Sequence, residues 1–264
     1  MPLKMSPILA LALALSIFLT DCGNGSSKSE SSAGSVSGNW QMSLAPSNTN
    51  YPPTPQAGFI VDNGGTLSGS MLFDNPPCTG IGSVTGTVIG TNVSIWVSPV
   101  GLEINLTGTL GSDKTTMSGD YTILAAGCSV STIAPQAGTW TANLVPPLNG
   151  NITGTFTSKA RGTSFTVTGQ VTQGASGGTI SAPLTGTFSF PDFCVADVTV
   201  TGAISGTGIV LNLVNPDGTE AGQVDGTTST GATSVTGQYN MVAQGSEGLQ
   251  PCRGGDSGDV ALAF

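Results

Sequence analysis

The second half of this chain repeats the first half at a nearly constant spacing. Cys78 lies 116 residues before Cys194, and the same offset carries Val84–Val88 onto Val200–Ile204. Further matches join Leu67–Phe73 to Leu184–Phe190, Val93–Val97 to Ile209–Leu213, Ser118–Tyr121 to Thr236–Tyr239, and Gly38-Asn-Trp40 to Gly138-Thr-Trp140. A repeat of this length predicts two copies of one structural unit.

Alternation with a period of two predicts β-strands within each copy. In Val93-Ser-Ile-Trp-Val97, apolar residues occupy every second position, which places them on one face of a strand. Hairpin turns are predicted at Asp62-Asn-Gly-Gly65, Gly90-Thr-Asn92 and Asn215-Pro-Asp-Gly218. We therefore predict an all-β fold of duplicated antiparallel meander units that abut, closed as barrels or packed as a sandwich.

Glycine recurs inside the predicted strands. Gly69, Gly86, Gly186 and Gly202 each follow Ser or Thr in an otherwise strand-like run, where glycine ordinarily weakens pairing. Glycine at such positions indicates strong bending, as at the corners of a barrel. The G-x-W opening and the L-T-G-x-[Y/F] runs together resemble avidin and lipocalin-like up-and-down barrels. That resemblance implies a barrel and a binding role, and no ligand contact of those families matches a residue here.

The N-terminus predicts export. Lys4 precedes an apolar run from Ile8 to Leu19, which spans about 18 Å as a helix, well short of a bilayer core of roughly 30 Å. Residues 1–21 are therefore predicted to be a signal peptide. Leu19-Thr-Asp-Cys22 resembles the lipobox of bacterial lipoproteins, with Asp21 where that family has a small residue. An ordinary secretory signal is the alternative.

The lipobox resemblance implies a membrane anchor. Cys22 would carry acyl chains and become the mature N-terminus, so the membrane is the expected partner. Gly23, in place of the Asp that retains some lipoproteins at the inner membrane, favours the outer membrane of a bacterial envelope. Residues 22–37 are rich in Gly and Ser, and this composition predicts a flexible linker between the anchor and the folded part.

Four cysteines remain after Cys22, as expected for disulfides in an exported chain. The repeat favours one bridge within each copy, Cys78–Cys128 and Cys194–Cys252. In the chain-entropy model each loop of about 50 residues contributes roughly 4 kcal/mol.

Composition excludes several functions. Six Lys and Arg stand against fifteen Asp and Glu, which gives a formal net charge of −9 and excludes a basic nucleic-acid-binding face. The chain has no histidine, so the commonest general base and the commonest metal ligand are both missing. We therefore predict no catalytic residue, no cofactor and no metal site.

Two polar segments resemble functional motifs. Cys252-Arg-Gly-Gly-Asp-Ser-Gly258 is similar to the nucleophile segment of trypsin-like serine proteases, but no histidine can take the proton of Ser257. Asp256 with Asp259, and the segment Asp217–Glu220, could each be considered calcium loops. Neither has EF-hand spacing, so we interpret both as turns.

Scattered carboxylates and tryptophans provide the other candidate residues. Glu103, Asp120, Glu220 and Asp225 lie in or near predicted strands and could form the acid pair of a glycosidase. With fifteen acidic residues in the chain, such pairs are expected by chance. We assign Trp40, Trp96 and Trp140 to the core rather than to a ligand pocket.

One segment has features of both copies. Gly138–Leu144 opens the second copy as Gly38–Leu44 opens the first, and it follows Cys128 as the final strand follows Cys252. We place the first repeat at residues 38–137 and the second at 138–264, and predict that the copies share or split this strand. Two independently closed barrels on a flexible tether are not expected, because a closed barrel leaves a strand no spare edge, and no linker like residues 23–37 is predicted between the copies.

The function predicted from sequence is that of an exported, lipid-anchored envelope protein that binds a ligand or serves a structural role, rather than that of an enzyme. One alternative is an envelope glycan-active enzyme that uses strand carboxylates. The other is an integral outer-membrane β-barrel, because Val260, Leu262 and Phe264 alternate up to the C-terminus. The ligand stays open.

Overall fold

The computed structural model describes two closed, eight-stranded antiparallel barrels that abut, with one short separate hairpin. The all-β prediction is confirmed, and the closure is that of a barrel. No helix occurs among the described residues. These are residues 35–75, 78–99, 101–124, 126–128, 131–133, 135–193, 195, 197–242 and 255–264.

The first barrel is an up-and-down meander with a small insertion. Its chain order is β1 (Gly38–Pro46), β2 (Thr54–Asn63), β3 (Thr66–Asn75), β4 (Cys78–Ile89), β5 (Asn92–Pro99), β6 (Ile104–Leu110), β7 (Thr116–Ile123), β8 (Ala126–Cys128), β9 (Ser131–Ile133) and β10 (Gln136–Val145). Strands β8 and β9 pair only with each other, and β10 closes the barrel by pairing with both β7 and β1.

The second barrel has the same plan without the inserted hairpin. It contains β11 (Gly150–Ser158), β12 (Ser164–Gln173), β13 (Ala182–Ser189), β14 (Asp197–Ser205), β15 (Gly208–Val214), β16 (Glu220–Thr228), β17 (Ser234–Met241) and β18 (Asp256–Ala263). Each strand pairs with the next along the chain, and β18 pairs with β11 to close the ring. The predicted duplication is therefore a duplication of the barrel.

Apolar side chains point into both barrels and polar ones point out. On β5, Val93, Ile95 and Val97 are buried, whereas Ser94 and Ser98 are exposed. The same alternation on β15 buries Ile209, Leu211 and Leu213. An eight-stranded barrel is just wide enough for side chains to fill, so each barrel has its own core.

The recurring mid-strand glycines are explained by close strand contacts. A Cβ at Gly86 would collide with the carbonyl oxygen of Ser94 on the neighbouring strand, and a Cβ at Gly119 would collide with that of Thr107. The predicted hairpin turns are also present. At the first of them, Gly64 and Gly65 adopt φ values of 64° and 91°, as a tight two-residue turn requires.

Strand β10 corrects the prediction of a shared strand. Thr141 in its middle pairs with Ser43 on β1 and with Ser118 on β7, so both edges of the strand are used within the first barrel. The second barrel needs no part of β10 because β18 pairs with β11. The two barrels are closed independently. The chain passes from one to the other after Val145, rather than at the predicted boundary before Gly138.

Several predictions fall outside the described residues. The signal peptide of residues 1–21, Cys22 and most of the linker of residues 22–37 precede residue 35, and Cys194 and Cys252 also lie outside the description. Cys78 begins β4 and Cys128 ends β8, with only their backbone described. Lipidation and both disulfides therefore stay predictions. In the described ranges, no helix is long and apolar enough to span a membrane.

The last residues of the predicted linker pack against the first barrel. Val36 is 1% exposed and belongs to the core cluster of that barrel. The indole Nε1 of Trp40 donates a hydrogen bond to the carbonyl oxygen of Val36 at 2.8 Å. The packing of the first barrel therefore includes residues that precede β1.

Candidate functional site

Hydrogen bonds join the outer surface of the first barrel to a turn of the second. Asn39 on β1 is 2% exposed, and its Nδ2 donates to the carbonyl oxygen of Gly206 at 2.8 Å. The backbone N–H of Gly206 donates to Asn39 Oδ1 at 2.7 Å. Two residues on, Gln41 Oε1 accepts hydrogen bonds from the backbone N–H and the hydroxyl of Thr207. The turn between β14 and β15 is thus held on β1.

Only glycine fits at the tip of this turn. Gly206 has a φ of +53°, which side chains rarely adopt. A Cβ there would collide with Gln41 and would lie 2.8 Å from the Cβ of Ala57. The contact between the barrels therefore depends on a specific backbone conformation.

The connection between the barrels is short and packed. Leu148 is 1% exposed, and its backbone N–H donates to Gln173 Oε1 at 3.0 Å. The backbone N–H of Gln173 donates in turn to Asn149 Oδ1 at 2.7 Å. Phe59 on β2 packs with Val145 and Leu148 in the core cluster of the second barrel. These contacts fix the connection, in keeping with the prediction that no flexible tether separates the copies.

A groove of about 630 Å³ lies where the two barrels meet. The first barrel contributes Phe59, Ile60 and Val61, the connection contributes Pro147 and Asn149, and the second barrel contributes Gln173–Gly178. Its volume falls within the range of roughly 300–1,000 Å³ that small-molecule sites occupy, and such sites favour domain interfaces. The groove joins an apolar wall to amide and hydroxyl groups, a combination suited to a mostly apolar ligand.

A second candidate centre is a buried carboxylate in the second barrel. Asp256 opens β18 and is 8% exposed. Its Oδ1 accepts a hydrogen bond from the hydroxyl of Ser158 at 2.7 Å, and its Oδ2 accepts one from the hydroxyl of Tyr239 at 2.6 Å. These bonds compensate for removing the charge from water, and they tie β11, β17 and β18 together at one end of the barrel.

Aromatic rings surround this centre. Phe156 lies 5.0 Å from Phe190 and 4.8 Å from Tyr239 between ring centroids, and Phe193 lies 4.5 Å from Phe165. Burial, with the hydrogen bond to Asp256 as the second cause, raises the pKa of Tyr239. The phenol therefore keeps its proton and acts as a hydrogen-bond donor to the carboxylate.

The sequence interpretation of Asp256 and its neighbours needs correction. Asp256 is a buried member of a strand rather than part of a turn, and the exposed Asp259 forms an ion pair of 3.4 Å with Lys159. Ser257 is exposed and accepts a hydrogen bond from the N–H of Lys159 at its carbonyl oxygen. Within the described residues, its hydroxyl has no base to activate it.

The Asp217–Glu220 segment is a turn, as predicted. Asp217 Oδ1 accepts hydrogen bonds from the backbone N–H of Thr219 at 2.9 Å and from its hydroxyl at 2.6 Å. These bonds lower the pKa of Asp217. Across the part of the chain that the structure describes, no three His, Cys, Asp or Glu side chains cluster as metal ligands would.

The four strand carboxylates do not meet. Glu103, Asp120, Glu220 and Asp225 are all exposed, two on each barrel, and none lines the groove or contacts Asp256. Asp120 and Asp225 occupy outward-facing strand positions, Glu220 begins β16, and Glu103 lies immediately before β6. The acid pair that a glycosidase needs is not formed by these residues.

The three tryptophans occupy different environments. Trp40 and Trp140 are 0% and 1% exposed in the first core, as predicted. Trp140 Nε1 donates to the carbonyl oxygen of Thr107 at 3.1 Å. Trp96 is 57% exposed, so its assignment to the core is wrong. The reason is the pleat of β5, which points Ile95 and Val97 inward and Trp96 outward.

Sequence reasoning missed the residues that form the groove and the contact between the barrels. Asn39 and Gln41 are ordinary polar residues in a strand, and their partners lie more than 160 positions away. Gln173–Gly178 carried one usable signal, because the run Gly174-Ala-Ser-Gly-Gly178 predicts a loop. Nothing local indicates what that loop faces.

Comparisons with known proteins add a distant likeness of structure. No protein-family model matches the chain, and no curated protein matches it in sequence. A crystal structure of kievitone hydratase from Nectria haematococca is similar, with a TM-score of 0.27 and 11% sequence identity over 90% of this chain and 92% of that chain.

Proposed function

We propose that this chain is an exported, lipid-anchored envelope protein whose paired barrels bind a small, mostly apolar molecule in the groove between them. The observation that carries this proposal is the groove itself. It lies at a junction that is held by the hydrogen bonds of Asn39 and Gln41 and by a packed connection. A preorganised site lowers the entropic cost of binding.

The chemistry of the groove selects the class of ligand. Val61 and Pro147 offer accessible apolar surface, whereas Phe59 and Ile60 behind them are 6% and 1% exposed. Asn149 with the backbone of Gln173–Gly178 offers a few polar groups on one side. No charged side chain contributes to the described lining. A neutral ligand with one polar end fits this distribution better than an ion.

The anchor is proposed from the sequence. Leu19-Thr-Asp-Cys22 supports acylation of Cys22, and the Gly/Ser-rich residues after it would let the barrels stand away from an outer-membrane surface. The polar residues on the outside of the first barrel support the proposal that only the acyl chains, and not the barrel surface, contact the membrane. Ser94 and Ser98 are exposed on β5, Ser94 between the buried Val93 and Ile95 and Ser98 after the buried Val97, whereas a lipid-facing barrel surface is apolar.

A fluorescent probe tests the groove. The chain from residue 23 onward is titrated with the neutral apolar dye N-phenyl-1-naphthylamine, whose emission rises in an apolar site. Ala175→Trp places an indole in the groove and is expected to weaken dye binding at least tenfold. Ala160→Trp places the same side chain on an exposed turn at the other end of the second barrel and is the matched control. Equal dye binding by both variants would contradict the proposal.

Mass spectrometry tests the anchor separately. Protein from the native membrane is expected to begin at Cys22 and to carry acyl chains, and Cys22→Ser is expected to release it into the soluble fraction. An unmodified N-terminus elsewhere would refute the anchor without affecting the groove.

A further inference from the structure

Trp96 is an exposed aromatic residue in the middle of a well-ordered strand. It is 57% exposed, although its neighbours Ile95 and Val97 are 0% and 4% exposed. Its position in β5 leaves the whole indole on the outside of the first barrel, away from the groove and from the second barrel. Trp96 does not belong to the core cluster of the first barrel.

The surface around Trp96 is made of neutral hydrogen-bonding side chains. Trp96 pairs with Thr85 on β4 and with Asn105 on β6, and Ser94 beside it pairs with Thr107. We call Thr85, Ser94, Trp96, Ser98, Asn105 and Thr107 the Trp96 face. It extends about 10 Å across three strands and about 13 Å along β5.

The polar groups of the Trp96 face are not used by the fold. Within the described part of the chain, none of its hydroxyl or amide side chains is hydrogen-bonded to another protein group. None of the six residues is charged, and the exposed ionisable side chains at the border of the face are carboxylates: Asp120 on β7 pairs with Thr107, and Glu103 lies two residues before Asn105. Carboxylates at the border disfavour anionic partners and leave neutral ones unaffected.

The duplicated barrel does not have this feature. The residue equivalent to Trp96 at the repeat offset of 116 is Asn212, which lies between the buried Leu211 and Leu213 as Trp96 lies between Ile95 and Val97. The barrel fold therefore needs no tryptophan at this position. The indole is a property of the first barrel alone.

We propose that the Trp96 face binds a neutral polysaccharide. A hexose ring has an apolar face of C–H groups and a rim of hydroxyls. The indole offers a flat surface for the C–H face, and the surrounding Ser, Thr and Asn side chains can exchange hydrogen bonds with the rim. Tryptophan is also the residue type that most often dominates the energy of a contact surface. This site is independent of the groove between the barrels.

Electrophoresis through gels that contain polysaccharide tests the proposal. The chain from residue 23 onward is run in native gels with dextran, laminarin or hydroxyethylcellulose, and with anionic polygalacturonate for comparison. We expect retardation by at least one neutral glucan, and none by polygalacturonate. Trp96→Asn, which introduces the residue of the second barrel, should reduce the affinity at least tenfold. Tyr51→Asn removes another exposed aromatic side chain, 53% exposed, and should leave the affinity unchanged.

Intrinsic fluorescence gives a second measurement on the same protein. Trp40 and Trp140 are buried, so quenching by acrylamide reports mainly on Trp96. The retarding glucan should lower the quenching constant of the unmodified chain and should leave that of Trp96→Asn unchanged. The proposal is overturned if no neutral glucan retards the chain, if Trp96→Asn is retarded equally, or if polygalacturonate binds as tightly.

Discussion

The two barrels share one strand plan but fill it with different chemistry. Two tryptophans, three methionines, Phe73 and Tyr121 fill the first barrel together with aliphatic residues. A cluster of phenylalanines and Tyr239 fills the end of the second. The same register of strands therefore accepts either set. Closure of each barrel depends on the alternation of apolar and polar residues along the strands and on glycine where strands come close. The large core residues can differ between the two barrels.

The sharpest difference lies in the polar residues near one end. Gly138 on β10 pairs with Pro46, and the matching Gly258 on β18 pairs with Ser158. Two residues before these glycines, the first barrel has Gln136 and the second has Asp256. The first barrel instead buries Gln56, whose Nε2 has no hydrogen-bond partner among the described residues. One copy thus has a satisfied buried network and the other has an unpaired buried amide.

The largest expected effect separates core tryptophan from exposed tryptophan. Trp140→Ala removes a fully buried side chain and should lower the free energy of unfolding by about 3–5 kcal/mol. Trp96→Ala should change it by less than about 0.5 kcal/mol, because the side chain is exposed. Urea titration of the chain from residue 23 measures both. Similar losses of unfolding free energy for the two variants would mean that Trp96 is buried, contrary to its outward position on β5.

The second expected effect concerns the end of each barrel. Asp256→Ala leaves the hydroxyls of Ser158 and Tyr239 buried without their acceptor, and should cost about 3 kcal/mol. Gln136→Ala, at the matched position of the first barrel, should cost less than about 1 kcal/mol. The comparison fails if the two substitutions destabilise the chain equally in urea or thermal unfolding.

A smaller effect of opposite sign is expected at Gln56. Gln56→Met keeps the shape of the side chain and removes the buried unpaired amide, so it should stabilise the chain by about 1 kcal/mol. Gln41→Met removes hydrogen bonds to Thr207 and to the carbonyl oxygen of Gln56, and should destabilise it. If Gln56→Met does not stabilise the chain, Gln56 Nε2 is satisfied in solution. Stabilisation by Gln41→Met would contradict the contribution of the Gln41 hydrogen bonds.

Alkaline pH should reveal the difference between the two buried tyrosines. Burial raises the pKa of both Tyr121 and Tyr239, and the hydrogen bond to Asp256 adds to the effect on Tyr239. The folded chain keeps these protons where the unfolded chain loses them, so the free energy of unfolding should fall as the pH rises above about 10. Tyr239→Phe should flatten this fall more than Tyr121→Phe. If Tyr121→Phe flattened the fall more than Tyr239→Phe, the larger rise in tyrosine pKa would belong to the first barrel, contrary to this account.

Local features of the sequence predicted much of this architecture. Alternation on β5 and β15, the turn at Asp62–Gly65 and the offset of 116 residues were sufficient for a duplicated antiparallel meander. The outward position of Trp96 was also predictable, because Ser94, Trp96 and Ser98 belong to one face. We assigned it to the core from residue type rather than from the alternation.

The rest depends on contacts between distant residues. Gly138–Leu144 has the features of an opening strand and of a closing strand, and only its pairing with β1 and β7 assigns it to the first barrel. The junction between the barrels likewise contains a contact between the turn at Gly206 and Asn39 of β1, 167 positions away. Such pairings leave no pattern in a single sequence. The Asp256 network, formed from three separate strands, was missed for the same reason.

The central claim is that each barrel is closed by its own strands, and two fragments test it most directly. Residues 35–147 contain all eight strands of the first barrel, and residues 35–135 lack β10. The account predicts that the longer fragment is a monomer that unfolds cooperatively in urea. The shorter fragment should aggregate or stay unfolded, because β1 and β7 are left with open edges. Cooperative folding of residues 35–135, or failure of residues 35–147 to fold without the second barrel, would contradict it.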